Sequence, residues 1–192
     1  MVWTTNEMVE RATTQINDGD FVYLGPGLPA AVASRIPAET EVWLHVHDGI
    51  PGFMHYPTDD FMDAGFIAGS QGQCTEARPR EIYHSTDSFA EMTSLSMDLA
   101  ILDASGAHGN GIDIARWAIG CGAKHVVLLL GGVRSIKDIT DLLTSSRGDG
   151  VSYRVISDQA VIDVTDQGMA FVEGAVGVAP AETEKPKSLQ FA

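Results

Sequence analysis

Cysteine is scarce: the chain carries only Cys74 and Cys121, at no metal-ligand spacing. That argues against a thiolate zinc cage and predicts free thiols in a reducing cytoplasm. A reactive Cys74, beside Arg78 and Arg80, is the competing reading of that position. Positive charge is also thin. Twelve lysines and arginines face 26 acidic residues, giving a formal net charge of −14. Nucleic acid and anionic membrane both require a basic surface, so neither is expected as a partner. The acids are scattered singly, as on a solvated surface. Long hydrophobic runs are missing as well. No stretch reaches the roughly 20 apolar residues of a membrane span, and the polar opening MVWTTNEMVERATTQ does not read as a signal peptide. A cytoplasmic location is the expectation.

What remains is ordinary globular material: 192 residues, 44% hydrophobic and 20% charged. That is enough for one domain with a full core. Thr4 and Glu7 have capping-box spacing, Met8, Ala12 and Ile16 repeat at helical spacing, and Gly19 is placed to close the helix. Asp20 to Gly25 (DFVYLG) reads as a strand. Pro29 opens a short helix that Pro37 ends, and Glu41 to His47 (EVWLHVH) is the next strand. From Gly49 to Ser85 the periodicity fades into loop-like sequence, followed by a helix over 85–92. Met97 to Asp103 and Lys124 to Gly132 are apolar strands, with helical stretches at 112–119 and 136–143. YRVIS follows, then AVIDVTDQGMAFVEG, which reads as two strands turned at Asp166-Gln167-Gly168. Strands alternating with helices predict an α/β fold. The sheet is expected to be open and mostly parallel, with helices on both faces and a C-terminal β-hairpin. The domain is expected over 1–178, with a loosely packed tail over 179–192.

Ligands of such sheets bind beyond the carboxyl ends of the strands. Gly25, His47 and Asp103 all fall at predicted strand ends, so the loops that follow them are expected to share one rim. His45 and His47 are two apart on a strand and point to one face. With Asp48, His55 or His108 they would begin a zinc or iron site; a working polar pair without metal and a purely structural role are the other readings. His84 and His125 are read as structural, whereas His108 lies in a glycine loop near the rim.

Several segments, in order, resemble the small (B) subunit of the two-subunit 3-oxoacid CoA-transferases. FVYLGPGLPAAVASRIP looks like that family's Gly-x-Gly-Leu-Pro loop, helix and closing proline. HSTDSFAEMTSLSMDLAIL is similar to its Ser-x-Asp-Ser-Phe helix and following strand. GAKHVVLLL and VISDQAVIDVTDQGMAFVE resemble its later strands and terminal hairpin. The similarity runs from about Glu7 to Pro180. It implies the fold shared with NagB and ribose-5-phosphate isomerase, a homologous A-type chain as partner, and a small-molecule site between the two chains.

The resemblance also exposes two departures. In the family, the strand after Gly-x-Gly-Leu-Pro ends in Ser-Glu-Asn-Gly-x-x-Gly, whose glutamate forms a thioester with coenzyme A. Here VHDGIPG places His47 at the glutamate and Asp48 at the asparagine, with Gly49 and Gly52 matching. The family's Met-Gly-Gly-Ala loop has no counterpart between Asp103 and Lys124, where the chain reads SGAHGNGIDIARW. Imidazole has no oxygen to carry coenzyme A as a thioester, but it is a good general base near neutral pH. His47 and Asp48 are therefore the expected catalytic pair. Gly25, Gly27, Leu28, Gly49, Gly52 and His108 are expected to bind substrate or an oxyanion. An acyl-CoA is the expected substrate, with no covalent cofactor, and hydrolysis is favoured over transfer on chemical grounds. A metal, if present, would sit on His45 and His47. A metal-dependent hydrolase or C–C bond lyase of a 1,3-dicarbonyl, and a catalytically silent scaffold subunit, remain as alternatives.

Overall fold

The computed structural model describes residues 2–46, 97–104, 119–120, 122–131, 150–165 and 168–177. Helix α1 spans Thr5–Thr13. The strands are β1 (Phe21–Leu24), β2 (Trp43–Val46), β3 (Leu99–Asp103), β4 (His125–Leu130), β5 (Ser152–Ser157), β6 (Ala160–Thr165) and β7 (Gly168–Gly174). A 3-10 helix, Leu28–Arg35, joins β1 to β2. The strands form one sheet in the order β2-β1-β3-β4-β5-β6-β7. Pairings from β2 across to β5 are parallel; β5–β6 and β6–β7 are antiparallel. The mostly parallel α/β sheet ending in a hairpin is thus as the sequence predicts.

The strands form where the sequence is continuously apolar because both sheet faces are buried. Every residue of β3 is buried, and Val126 to Leu129 of β4 are fully enclosed. Alternation along the strands divides the core in two. One side gathers Leu24, Leu99, Ile101, Val127 and Leu129 under Met8, Val9 and Ala12 of α1 and Val32 and Ala33 of the 3-10 helix. The other holds Tyr23, Ala100, Leu102, Val126, Leu128 and Tyr153, with Ile119 from a helical end packed against it.

Local chemistry sets the helix ends. Thr4 Oγ1 accepts from the Glu7 N–H at 3.3 Å, and the Thr4 N–H donates to Glu7 Oε2 at 2.7 Å, completing the expected capping box. That hydrogen bonding from Thr4 holds the Glu7 carboxyl below its ordinary pKa. The helix ends earlier than the sequence suggests. Thr14 is its C-cap, and Gly19 instead takes a positive φ of 82° in the turn before β1, donating its N–H to Glu41 O at 2.6 Å. The short helix after β1 is 3-10 in character. Pro29 supplies no N–H, and the Ala30 N–H reaches back three residues to Gly27 O at 3.1 Å.

Sheet direction reverses at a two-residue turn. Ser157 Oγ accepts the N–H of Gln159 (3.2 Å) and of Ala160 (3.0 Å) and donates to Ala160 O (3.0 Å). Trp3 N–H to Asp158 O (2.6 Å) and Ala175 N–H to Gln159 O (2.8 Å) pin the turn from both sides.

Candidate active-site rim

The carboxyl edge of the parallel strands is defined by register. Val46 pairs with Leu24 and Leu24 with Ile101, while Asp103 pairs with Leu129 and Leu130 with Ser157. The ends of β1 to β4 therefore lie side by side, as the shared-rim reading requires. Gly25, Asp103 and Gly131 stand at that edge. Val46 ends β2 there, and His47 is the next residue in the chain. His47, Asp48, Gly49, Gly52, His55 and His108 fall outside the described residues. His45 lies in β2 opposite Tyr23.

Gly25 follows β1 directly at this edge. Its N–H donates to Ile101 O at 2.9 Å, extending the β1–β3 ladder by one step. Its N–H is thereby engaged within the sheet. Its missing side chain matters instead: a Cβ would come 3.3 Å from Leu102 Cδ2 and 3.4 Å from Ile101 O. Pro26 has no N–H. Gly27 turns the chain with φ 83° and ψ −133°, a conformation that L side chains avoid. The N–H groups of Gly27 and Leu28, at the start of the 3-10 helix, donate to no described residue.

Two contacts hold this loop in place. Leu28 lies against the end of β4, where a Cβ on Gly131 would sit 3.3 Å from Leu28 Cδ1. At the far end of the 3-10 helix, Arg35 donates to Glu10 Oε1 and Asn6 Oδ1 of α1, both at 3.0 Å. Sequence reasoning missed Gly131. Its signal is the Gly131-Gly132 pair that stops an apolar strand, which marks a close approach without naming the approaching residue.

Asp103 is 8% exposed, and with Ser157 it makes up the buried polar set among the described residues. It shares the alternation of Leu99 and Ile101, the face covered by α1 and the 3-10 helix.

His125 begins β4, so it lies at the opposite edge of the sheet from the rim. Its Nδ1 is 2.6 Å from Ser152 Oγ. Burial and the nearby Arg154 guanidinium hold its imidazole below the ordinary 6.5, against the pull of Asp163, the Ser152 backbone and Asp20. The same edge carries the Lys124–Asp98 pair at 2.6 Å. Burial raises the Asp98 pKa, but hydrogen bonds from Lys124 and the Phe21 N–H, with the lysine charge, outweigh it and leave the group lowered. This edge holds structural polar chemistry, in keeping with the reading of His125.

Among the described residues no three His, Cys, Asp or Glu side chains cluster as metal ligands, and no helix is long and apolar enough to cross a membrane. The conditional His45–His47 metal pair lies partly outside those residues.

The sheet is seven-stranded and mostly parallel, with a glycine-proline loop at its carboxyl edge. An acyl-CoA transferase from Escherichia coli O157:H7, solved as a thioester complex with CoA, superposes with a TM-score of 0.56 at 14% identity; the match covers 96% of this chain and 40% of that one. Glutaconate coenzyme A-transferase from Acidaminococcus fermentans gives 0.55 at 13% identity, covering 93% and 82%. These likenesses establish the fold. No protein-family model matches the chain. Sequence relatives go further. The B subunit of the probable succinyl-CoA:3-ketoacid coenzyme A transferase of Bacillus subtilis is 32% identical over 96% of this chain and 93% of its own length. The B subunit of the 3-oxoadipate CoA-transferase of Acinetobacter baylyi is 28% identical over 95% and 92%. The chain belongs to the family of CoA-transferase B subunits.

Proposed function

We propose that this chain is the B-type half of a heteromeric enzyme acting on a 3-oxoacyl-CoA or related acyl substrate, and that it pairs with a homologous A-type chain. His47 stands where the family has its nucleophilic glutamate, so hydrolysis is the preferred reaction. The observation that carries this reading is the register Val46–Leu24–Ile101. It brings the end of β2, from which His47 follows, beside the Gly25–Leu28 loop.

In this reaction His47 takes a proton from water as the water oxygen attacks the thioester carbonyl. The N–H groups of Gly27 and Leu28 face the developing oxyanion. Collapse of the tetrahedral intermediate breaks the C–S bond, and the imidazolium returns its proton to the departing thiolate. Asp48 or another carboxylate of the rim orients the imidazole. The remaining site residues, Gly49, Gly52 and His108, line the acyl group. The working unit is the single domain 1–178, with 179–192 as its tail.

The test is release of free CoA thiol from acetoacetyl-CoA by the purified complex with its A-type partner. His47→Ala should lower kcat by about 10²-fold or more. Unchanged turnover would assign the chain a scaffold role. Loss of turnover on chelation, with recovery on adding zinc, would replace the general-base reading with metal-assisted hydrolysis or C–C cleavage.

A further inference from the structure

We infer that the Leu28 side chain is the wall against which the acyl chain of the substrate rests, and that Gly131 sets where this wall stands. Together the two residues select an acyl-CoA by the length of its apolar chain. The inference rests on the proposed reading of Gly27 and Leu28 as oxyanion donors and deepens it, because it names the substrate feature that the same site selects.

Leu28 starts the 3-10 helix that follows β1, yet the tip of its side chain lies at the end of β4, where a Cβ on Gly131 would meet Leu28 Cδ1 at 3.3 Å. In the sheet β3 lies between β1 and β4, so the side chain reaches across the end of β3. That is the carboxyl edge, where ligands of parallel sheets bind. On its inner side Leu28 packs against the core under α1. The remainder is open. Pro26, Gly27, Leu28 and Gly131 are each half-buried, whereas Gly25 before the loop and Pro29 after it are buried. These four residues bring no charge and no polar side chain to the edge. Their common surface offers apolar contact together with the Gly27 and Leu28 N–H groups, which donate to no described residue.

A carbonyl oxygen held by the Leu28 N–H lies about 2.9 Å from the nitrogen. The acyl carbon is one bond further, so the chain it bears falls within reach of the side chain on the same residue. An apolar chain laid there takes the exposed part of the leucine out of water, which is favourable for both. Glycine at 131 leaves the end of β4 low enough for the leucine tip to settle on it. A methyl group there takes the place of the tip and turns the leucine away from β4, which narrows the space left for the acyl chain. Removing the leucine side chain widens that space. The two substitutions therefore act in opposite senses, which a general loosening of the fold does not produce.

The test uses the complex with its A-type partner and two ketone analogues of acyl-CoA, one with an ethyl and one with a hexyl chain beyond the carbonyl. A methylene set between sulfur and carbonyl keeps the oxygen for the two N–H groups and blocks both hydrolysis and transfer. Dissociation constants are read by calorimetry. Leu28→Ala should shift the ratio of the two constants by about tenfold or more in favour of the hexyl analogue. Gly131→Ala should shift it severalfold toward the ethyl one. Should Leu28→Ala fail to fold, Leu28→Val gives the same comparison with one methylene removed. An unmoved ratio in the Leu28 variant, with the wild type binding both probes, overturns the inference and leaves the hydrolytic reading intact. A ratio in Gly131→Ala that stays in place, or moves with that of Leu28→Ala, overturns it as well. Opposed shifts in a complex that releases no free thiol from acetoacetyl-CoA uphold the inference and sink hydrolysis as the reaction. Failure of the wild type to bind either probe removes both.

Discussion

Leu28 and Gly131 are locked together: the leucine occupies the space that a side chain at Gly131 would need, 3.3 Å from its Cδ1. The end of β4 thereby becomes the seat of the loop that carries the Gly27 and Leu28 donors. Because the contact is made by the far end of a flexible side chain, Gly131→Ala should be absorbed by a small rotation of Leu28. Gly131→Val should not, and it should cost about 1–3 kcal/mol of stability from overpacking. Its loss of turnover should exceed what the fall in Tm explains. Thermal unfolding and steady-state kinetics on the two variants check this.

Gly27 is held by its backbone. With φ 83° and ψ −133°, any side chain is strained there, so Gly27→Ala should destabilise by about 1–3 kcal/mol. If the loop relaxes to escape that strain, the donors move and kcat falls further. Denaturant unfolding together with thiol-release kinetics separates the two effects.

His125 predicts a pH dependence remote from catalysis. Its folded pKa lies below the ordinary 6.5, so the unfolded chain binds its proton first as pH drops. The stabilisation is fully present above pH 6.5 and is lost as pH falls from there through the folded value. His125→Gln should therefore flatten the stability curve on the acid side of neutrality. Urea denaturation of both proteins from pH 8 to pH 5 measures this, and equal slopes would refute it.

The pair of Arg154 and Asp163 joins β5 to β6 through two bonds, 2.6 and 2.8 Å long, and Arg154 also donates to Gln15 beyond α1. Asp163→Ala should cost about 1–3 kcal/mol, toward the low end because both side chains keep part of their surface in water. Turnover at 25 °C should be unaffected, which distinguishes this pair from the rim residues.

The sheet was largely legible in the sequence because burial on both faces leaves continuous apolar runs such as LAILD and HVVLLL, and no other element of that length needs them. The capping box was legible for a similar reason: Thr4 and Glu7 interact locally. The 3-10 character of Leu28–Arg35 was not, since three-residue and four-residue hydrogen bonding leave similar apolar patterns over eight residues. The partner of Leu28 was hidden because the contact with Gly131 is long-range. The hydrogen bond of Gly25 to Ile101 was not legible either. A glycine at a strand end signals close backbone approach, but the sequence does not say whether its N–H faces a ligand or a neighbouring strand. The shared rim of Gly25 and Asp103 followed from strand ends alone, whereas His47, Asp48, Gly49, Gly52 and His108 lie outside the described residues.

The reversal at Ser157–Ala160 has a consequence for how the antiparallel end of the sheet is tied down. The N–H groups of Gln159 and Ala160 are spent on Ser157 Oγ, and the carbonyls of Asp158 and Gln159 on Trp3 and Ala175. Lengthening this hairpin by several residues should therefore break those pairings and loosen the ties that bind the chain before α1 and the end of β7 to this corner of the sheet.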